Sequence, residues 1–370
     1  MKIAIDGRAL MNGNYSGVGW YAYNLIENLL AIDSSNQYVI FYNSSRSINV
    51  PAFAAPNLEI KRFNYPNKLF NFSLNFFGRP ILDRLIGGCD VFFSPNLHFL
   101  SLSNHTKSVL AVHDLSFLID SDFFTSKQRY WHQLILNQKI IAKTDRIIVD
   151  SNSTKQDLME LFNYPSAKIS VVHLGVAEKY FAPVSEADKS AIRQKHGLPE
   201  KFLLSVGTIE PRKNLLGTIK ALEALGWPID LVVAGNYGWK FGEVKKLIET
   251  NSRIKHLGYI DETDKPVLYQ LASGLIYPSY YEGFGLPILE AMASGCPVVA
   301  GNNSSQGEVL GDCGLLVDPY NVTEIKRGIE LILSGDDMIS QMAGRAKLRA
   351  REFSWLKTAQ QTLRVFENLK

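Results

Sequence analysis

The chain has 370 residues, of which 46% are hydrophobic and 20% charged, and its formal net charge is +3. This length exceeds one typical domain and suffices for two hydrophobic cores. The nearly balanced charge argues against a dedicated nucleic-acid-binding protein, which would carry a marked excess of cations. The three cysteines, Cys89, Cys296 and Cys313, stand far apart and form no CxxC pair, so neither a disulfide framework nor a structural zinc site is expected.

The first residues have the pattern of a buried strand, and not of a signal peptide. No run reaches the roughly 18 apolar residues that a membrane-spanning helix requires. We therefore expect a cytoplasmic protein, peripheral at most at the inner face of the membrane.

Short β-branched segments alternate with longer amphipathic segments in the first half of the chain. The candidate strands are Ile3–Ile5, Tyr38–Tyr42, Leu58–Arg62, Val91–Phe93, Ser108–Val112, Arg146–Val149 and Ile169–Val172. Helical periodicity lies between them, for example at Tyr21–Ala31, Lys127–Ile141 and Lys155–Leu161. This alternation predicts a parallel sheet covered by helices on both faces.

The alternation pauses near Ala182-Pro183-Val184 and then resumes. The second series of candidate strands is Phe202–Val206, Leu231–Ala234, Ile254–Leu257, Gly274–Ile276, Pro297–Val299 and Leu315–Val317. We therefore predict an α/β protein with two Rossmann-like, doubly wound domains, residues 1–178 and 179–352, and a terminal amphipathic helix within 353–370. Open sheets of this kind bind ligands at the carboxyl ends of their strands, so a cleft between facing domains is the expected active site.

A segment rich in glycine and glutamate follows one strand of the second series. Glu282 precedes a predicted helix, Glu290 lies about one turn inside it, and Pro287 suits its first turn. Gly283 and Gly285 allow a ligand to approach the backbone closely, and N–H groups at a helix start can bind phosphate. The two carboxylates can accept charge-assisted hydrogen bonds from two hydroxyl-bearing parts of one ligand. The alternative is a solvated Glu282 and a Glu290 that only complements the helix dipole.

This segment, Glu-Gly-Phe-Gly-Leu-Pro within Glu-x7-Glu, closely resembles that of family four of the retaining glycosyltransferases, which have the two-domain GT-B fold. The resemblance is strong over most of residues 201–360 and looser in the N-terminal half. It implies that Glu282 binds donor-sugar hydroxyls and that Glu290 binds the nucleotide ribose. It also implies contacts to the sugar and diphosphate from the amides of Phe284, Gly285 and Leu286.

The resemblance has one departure and two further implications. Gln306-Gly307 stands where family members often have Leu-Pro. The nucleotide base is expected near Tyr259, after a strand of the second domain. The terminal helix is expected to cross back and pack on the N-terminal domain, as it does in family relatives.

A basic turn, Glu210-Pro211-Arg212-Lys213, follows the first strand of the second domain. Adjacent cations suit a diphosphate whose charge grows as the sugar leaves, although a solvated turn is the alternative. The family holds the diphosphate with a basic pair in this region. Many members also carry a cation at the position of Thr208, so Lys213 is the safer of the two assignments.

A glycine-containing loop, residues 14–22, includes Gly17 and Gly19 in a G-x-G-x-x-A pattern. A dinucleotide fingerprint would place its glycines directly after the first strand, whereas these come about ten residues later, so NAD binding is not expected. The loop resembles the family's N-terminal loop, which faces the acceptor and the donor phosphates.

His113 follows an apolar strand, and in the family a histidine at this position lies near the donor sugar; a structural histidine is the alternative. Asp120 and Asp122 form a D-x-D pattern, the metal motif of the other major glycosyltransferase fold, but they end no apolar strand. We therefore expect no essential metal and no cofactor besides the nucleotide-sugar co-substrate.

The segment Lys68–Arg79 mixes aromatic residues with cations. A core helix is one interpretation. The other is a surface that touches the membrane or a lipid-linked acceptor, because aromatic and cationic side chains together suit the membrane interface.

The resemblance implies a retaining, metal-independent hexosyltransferase of polysaccharide biosynthesis, acting on a glycan or lipid-linked acceptor. The run Val206–Asn214 looks most like that of bacterial mannosyltransferases of surface-polysaccharide assembly, which suggests GDP-mannose as donor. dTDP-rhamnose or a UDP-sugar remains open as donor, and a sugar-nucleotide isomerase or epimerase is the competing enzyme class. A non-enzymatic sugar-nucleotide sensor is a third interpretation. Glycoside hydrolysis is disfavoured, because it would need two carboxylates across one scissile bond.

Overall fold

A computed structural model of the protein describes residues 1–11, 15, 17–136 and 138–369. The chain forms two compact units. The first unit contains Met1–Leu115, Tyr130–Gly175 and Trp355–Lys370, and the second contains Ser116–Arg129 and Val176–Ser354. No helix of the described residues is long and apolar enough to cross a membrane.

Strands and helices alternate through the described residues. Thirteen strands, β1–β13, are Lys2–Asp6, Gln37–Asn43, Leu58–Phe63, Val91–Ser94, Lys107–Val112, Arg146–Val149, Ile169–Val171, Phe202–Val206, Asp230–Ala234, Ile254–Gly258, Gly274–Tyr277, Val298–Gly301 and Leu315–Val317. Sixteen helices, α1–α16, are Gly17–Ile32, Asn67–Phe77, Leu82–Leu85, Ser116–Ile119, Ser126–Ile135, Gln138–Lys143, Asn152–Phe162, Glu186–His196, Leu215–Ala224, Gly242–Thr250, Lys265–Leu271, Leu286–Ala293, Gln306–Leu310, Val322–Ser334, Asp337–Ala350 and Trp355–Glu367. Short 3₁₀ turns occur at Gly7–Leu10, Ser121–Phe123, Ser166–Lys168, Glu178–Tyr180 and Pro211–Lys213.

The first unit is built on a seven-stranded parallel sheet with the order β3-β2-β1-β4-β5-β6-β7. The central strand β4 is buried along its whole length, as expected for a parallel strand covered on both faces. Phe70 and Leu74 of α2 pack into the same core as Phe41 of β2 and Phe92 of β4. This unit confirms the parallel sheet predicted for the N-terminal half.

The last helix, α16, belongs to the first unit. Phe366 is fully buried, and its ring lies 5.3 Å from that of Phe93 in β4. Thr358 Oγ1 donates a hydrogen bond of 2.8 Å to the carbonyl oxygen of His173. The predicted return of the terminal helix to the N-terminal domain is therefore confirmed.

The second unit is built on a six-stranded parallel sheet with the order β10-β9-β8-β11-β12-β13. The backbones after β8 and β9 approach each other very closely. A Cβ atom on Gly235, whose φ is +148°, would lie 1.9 Å from the carbonyl oxygen of Gly207. A residue with a side chain would therefore push apart the two turns that end these strands.

Two boundaries differ from the sequence-based ones. The segment Ser116–Arg129 was placed in the N-terminal domain by its position in the chain but groups with the second unit. Its contacts explain this, because Trp239 Nε1 donates to the carbonyl oxygen of Phe123 at 2.6 Å and the Phe123 ring stacks on Tyr280. The helix predicted over Lys127–Ile141 is assigned as two helices, α5 and α6, and Asn137 between them lies outside the described residues.

Candidate functional site

The polar residues singled out in the second unit lie after adjacent strands. The 3₁₀ turn Pro211–Lys213 follows β8, and the loop that carries Glu282 follows β11. Strands β8 and β11 are parallel neighbours, so both segments leave the same edge of the sheet. The strand order thus brings together two parts of the chain that are about 70 residues apart in sequence.

Glu282 is the centre of a buried charge cluster. Lys213 Nζ donates to its Oε1 at 2.7 Å, and Arg212 Nη1 donates to its Oε2 at 2.9 Å. Arg212 also pairs with Glu210 at 2.7 Å, and Lys213 also bonds the hydroxyl of Tyr277. The side chains of Glu282, Arg212 and Lys213 are 7%, 12% and 16% exposed. Two cations therefore meet one carboxylate with little water around them.

The charges in this cluster set one another's ionisation. Burial alone would raise the pKa of Glu282, but Arg212 and Lys213 lower it to about 2. Burial lowers the pKa of Lys213 against the opposing pull of Glu282. Burial also raises the pKa of Glu210, against Arg212. The carboxylate of Glu282 is therefore ionised throughout the physiological range.

Serine side chains that sequence reasoning missed hold the loop around Glu282. Its backbone N–H donates to Ser304 Oγ at 2.9 Å. Ser305 Oγ donates to the carbonyl oxygens of Glu282 and Phe284 at 2.8 and 2.9 Å. Ser304 has a φ of +50°, unusual for a residue with a side chain. No sequence pattern around Ser304 or Ser305 signalled this role.

Gln306, the departure from the family pattern, has a structural role. It is fully buried, its Nε2 donates to the carbonyl oxygen of Ser279 at 2.8 Å, and its Oε1 accepts from Gly301 N at 3.0 Å. The glutamine thus links the ends of β11 and β12 by hydrogen bonds, which a leucine could not make.

Helix α12 begins directly after the Glu282 loop. Gly285 is its N-cap, with a φ of +104°, and Leu286 and Pro287 are its first residues. A glycine cap has no side chain to accept hydrogen bonds from the first turn. Phe284, just before it, is buried. The amides predicted to contact a diphosphate are therefore at a helix N-terminus, where anions are favoured.

Glu290 has a different set of partners from Glu282. The hydroxyl of Tyr269 donates to its Oε2 at 2.8 Å, and Lys265 Nζ lies 3.6 Å from its Oε1. Burial raises the pKa of Glu290, against the lowering effect of Lys265. Tyr269 and Lys265 both lie on α11 and were missed by sequence reasoning. The two glutamates of the motif thus occupy separate environments, as expected if they bind different parts of a ligand.

Tyr259 follows β10, and its side chain is 41% exposed. Gly258 before it has a φ of +68°, so the chain turns sharply at the end of that strand. Because β9 and β10 are parallel neighbours in the same sheet as β8 and β11, the exposed ring of Tyr259 follows a strand at the sheet edge from which the Glu282 loop also leaves.

In the first unit, His113 follows β5 and is held through both ring nitrogens. Nδ1 lies 2.7 Å from Asp150 Oδ2, and Nε2 lies 2.8 Å from the carbonyl oxygen of Pro95. Burial would lower the pKa of His113, but Asp150 raises it above its ordinary value. Because a carboxylate and a carbonyl oxygen both accept, the geometry suits a doubly protonated imidazolium. The raised pKa and these two contacts thus favour the protonated form of the His113 ring.

Asp150 was missed, although it follows β6 as His113 follows β5. Burial raises its pKa, against the lowering effect of His113. The ring of Tyr21, from α1, meets His113 edge-on at 4.6 Å. The strand order β5-β6 explains the pairing.

The two glycines of the N-terminal loop differ in their surroundings. A Cβ on Gly19 would lie 2.9 Å from Tyr15 Cβ, whereas one on Gly17 would meet no described atom within 4 Å. Gly17 is the first residue of α1. Asn14 and Ser16 of the same loop lie outside the described residues.

The side chain of Asp120 has a local structural role. Asp120 Oδ1 accepts from the backbone N–H of Asp122 at 2.9 Å and caps the 3₁₀ turn Ser121–Phe123. In the described part of the chain, no group of three or more His, Cys, Asp or Glu side chains is placed to hold a metal ion.

Two family descriptions match the chain. "Glycosyl transferases group 1" matches residues 188–349, and "Glycosyltransferase Family 4" matches residues 15–180. The O-antigen chain mannosyltransferase B of Escherichia coli is 34% identical over 274 residues, 71% of each protein.

Solved structures share the fold over the whole chain. Sucrose-phosphate synthase from Thermosynechococcus elongatus gives a TM-score of 0.77 at 20% identity and covers 100% of this chain and 98% of its own. Anabaena HepE, solved in complex with UDP and glucose, gives 0.73 at 18% identity and covers 100% of both chains. At these identities the likeness concerns the fold alone. The solved structures show that the chain has the GT-B fold. The two family descriptions and the mannosyltransferase match show that it belongs to glycosyltransferase family four and is a glycosyltransferase.

Proposed function

We propose that the protein transfers mannose from GDP-mannose, with retention of configuration at the anomeric carbon, to a glycan or lipid-linked acceptor in polysaccharide assembly. The observation that carries the proposal is the buried cluster of Glu282, Arg212 and Lys213 at the carboxyl ends of β8 and β11. The mannose assignment is supported by the similarity to a mannosyltransferase of O-antigen chains.

The two glutamates are assigned to opposite ends of the donor. Glu282, permanently ionised, accepts hydrogen bonds from sugar hydroxyls. Glu290, held by Tyr269, accepts hydrogen bonds from the ribose. The amides of Phe284, Gly285 and Leu286 at the start of α12 bind the phosphates between them. Gly283 lets the loop approach the sugar, and the ring of Tyr259 contacts the base.

Arg212 and Lys213 stabilise the leaving diphosphate. Together with Glu210 and Glu282 they form a set of two cations and two carboxylates. A diphosphate brought to this cluster supplies negative charge that both cations attract, and the attraction grows as the sugar–phosphate bond breaks. Since the cations are already fixed by hydrogen bonds, little reorganisation accompanies the reaction.

No protein side chain is assigned as nucleophile. The leaving phosphate oxygen accepts the proton of the acceptor hydroxyl on the face from which it departs, so the configuration at the anomeric carbon is retained. Because Arg212 and Lys213 supply positive charge, no divalent metal is required. His113 keeps its proposed place near the donor sugar. Because Asp150 and Pro95 already bond both of its ring nitrogens, it would act there through its positive charge. Gly17 and Gly19 are assigned to the acceptor and the donor phosphates.

Nucleotide specificity is tested by the shift in melting temperature with GDP, UDP, dTDP and ADP, because a ligand that binds the native state stabilises it. GDP should give the largest shift. Glu290→Ala should reduce that shift, whereas Glu330→Ala, which removes a half-exposed glutamate on α14, should not. A larger shift with UDP or dTDP would overturn the donor assignment and leave the glycosyltransferase intact.

Incubation of GDP-mannose with the enzyme alone separates transfer from isomerisation. An isomerase or epimerase converts the donor without acceptor, and a sensor leaves it unchanged even with acceptor. The proposed transferase consumes the donor only when an acceptor glycan is present and forms an α-linked product from the α-linked donor. A β-linked product would show inversion and refute the retaining mechanism.

A further inference from the structure

Helix α2 has two apolar faces, of which one is buried. Phe70 and Leu74 are 4% and 3% exposed and pack into the core of the first unit. Leu69, Phe72 and Phe76 lie on the other side of the helix, spaced three and four residues apart. The core-helix interpretation of this segment therefore holds for the buried face, and the interpretation as a binding surface concerns the outer face alone.

The outer face is unusually exposed for its composition. Leu69, Phe72, Phe76 and Phe77 are 66%, 51%, 66% and 70% exposed. The rings of Phe72 and Phe76 lie 4.6 Å apart, and those of Phe72 and Phe77 lie 5.9 Å apart, so they form one patch. Three half- to two-thirds-exposed aromatic rings leave on the order of 400 Å² of apolar surface in contact with water. This is the size of the largest apolar patch on a typical monomer, which is often functional.

Two exposed cations flank the patch. From Asn64 to Leu82 the chain carries Lys68 and Arg79 and no carboxylate, whereas Lys61, earlier in the chain, is paired with Glu59 at 2.8 Å. Lys68 is an exposed residue in the first turn of α2, and Arg79 is exposed just after its last residue. Aromatic rings with cations at both ends of one helix match a layer that is apolar inside and anionic at its surface.

The face is preformed. Phe70 and Leu74 anchor the helix in the core, and Gly78, with a φ of +60°, ends it with a left-handed cap. Ser101 Oγ donates to the carbonyl oxygen of Gly78 at 2.6 Å and fixes this end. Binding would therefore need no folding of α2, which removes the entropy cost that a disordered segment would incur.

We propose that the outer face of α2, formed by Leu69, Phe72, Phe76 and Phe77 and flanked by Lys68 and Arg79, docks on an anionic lipid bilayer. The aromatic rings enter the region between headgroups and acyl chains, and the two cations contact the lipid phosphates. The docking concerns the first unit alone and does not depend on the identity of the donor sugar.

The test is flotation of the full chain with phosphatidylcholine vesicles that contain or lack phosphatidylglycerol. The wild-type chain should float with the anionic vesicles and about tenfold less with the neutral ones. Phe72→Ser/Phe76→Ser should reduce flotation with anionic vesicles at least tenfold, because it removes two rings from the interface. Met338→Ser/Leu348→Ser is the matched control, since these residues are 51% and 69% exposed on α15 of the second unit, and it should float as the wild type does.

A second variant tests the charges without altering the apolar face. Lys68→Gln/Arg79→Gln should reduce binding to anionic vesicles about tenfold or more and leave the weak binding to neutral vesicles unchanged. Raised salt should act in the same direction. Circular dichroism and melting temperature verify that each variant is folded.

Three results would overturn the proposal. One is a wild-type chain that binds neither kind of vesicle. Another is equal loss of binding in the α15 control. The third is a wild-type oligomer, detected by light scattering, that Phe72→Ser/Phe76→Ser converts to monomer without changing flotation, because the face would then be covered by a second copy of the chain.

Discussion

Replacing Glu282 with glutamine should destabilise the second unit. The amide keeps the shape of the side chain but removes the charge that Arg212 and Lys213 contact at 2.9 and 2.7 Å. Arg212 retains Glu210, whereas Lys213 exchanges a paired carboxylate for neutral acceptors, the new amide oxygen and the hydroxyl of Tyr277. A buried cation without its carboxylate is costly, since burial already lowers the pKa of Lys213.

The size of the effect follows from the ionisation of Glu282. Its neighbours lower its pKa from an ordinary 4.5 to about 2, a difference that corresponds to about 3 kcal/mol. The side chain is 7% exposed, so solvent screens this little. We expect Glu282→Gln to lower the free energy of unfolding by about 3 kcal/mol near neutral pH, which for a unit of this size is roughly 6–12 °C in melting temperature.

The direction of the pKa shift also predicts how this loss of stability depends on pH. Because the pKa of Glu282 in the folded state lies below its unfolded value, the contribution of this residue to stability is present above about pH 4.5 and is lost as the pH falls towards about 2. The difference in stability between wild type and variant should therefore shrink over this range. Urea unfolding at several pH values measures it, with Glu330→Gln, a half-exposed glutamate on α14, as the matched control. A variant as stable as the wild type near neutral pH would refute the reasoning, as would a difference that does not change with pH.

Four further outcomes are expected. Tyr269→Phe should weaken nucleoside diphosphate binding about tenfold in calorimetric titration, because it removes the hydroxyl that donates to Glu290. Unchanged affinity would show that this hydrogen bond does not support nucleotide binding. Lys213→Ala should lower kcat by more than it raises KM, since the diphosphate charge grows toward the transition state, and a rise in KM alone would indicate uniform binding. EDTA should leave transfer intact because the protein's own cations are proposed to neutralise the diphosphate; loss restored by Mg²⁺ would contradict this. Asp150 raises the pKa of His113, so the contribution of this residue to stability is complete below about pH 6.5 and is lost as the pH rises through the folded-state pKa. The wild type should therefore lose stability relative to His113→Gln over that range. If urea unfolding gave the same pH dependence for both proteins, the pairing of His113 with Asp150 would be refuted.

The sheets could be predicted because their strands are short β-branched runs separated by helical periodicity. The proximity of Glu282 and Lys213 could also be predicted, since each follows a strand and parallel strands end at one edge of a sheet. Their direct contact could not be predicted, because it requires β8 and β11 to be neighbours, which depends on the strand order. Sequence alone assigned the two residues to one site without showing that they form an ion pair.

Residues that support the site through tertiary contacts could not be identified from sequence motifs. Asp150 pairs with His113 across 37 positions of sequence, and only the adjacency of β5 and β6 makes the pair possible. Ser304 supports Glu282 from a loop whose positive φ is set by its surroundings. The segment Ser116–Arg129 follows a strand of the first unit, yet its Phe123 ring stacks on Tyr280 of the second. Local propensity carries no information about such contacts.

The two glutamates of one motif show how neighbours, more than sequence position, decide what a carboxylate does. Both are buried, and burial alone would raise the pKa of each. Two close cations reverse this at Glu282, whereas at Glu290 a lysine 3.6 Å away and a tyrosine hydroxyl leave the pKa raised. The carboxylate proposed to accept hydrogen bonds from sugar hydroxyls is thus held ionised by the same cations that are proposed to bind the diphosphate. Because those cations are fixed on Glu282 and Glu210 before a donor arrives, one arrangement of charges serves both the sugar end and the phosphate end of the proposed site.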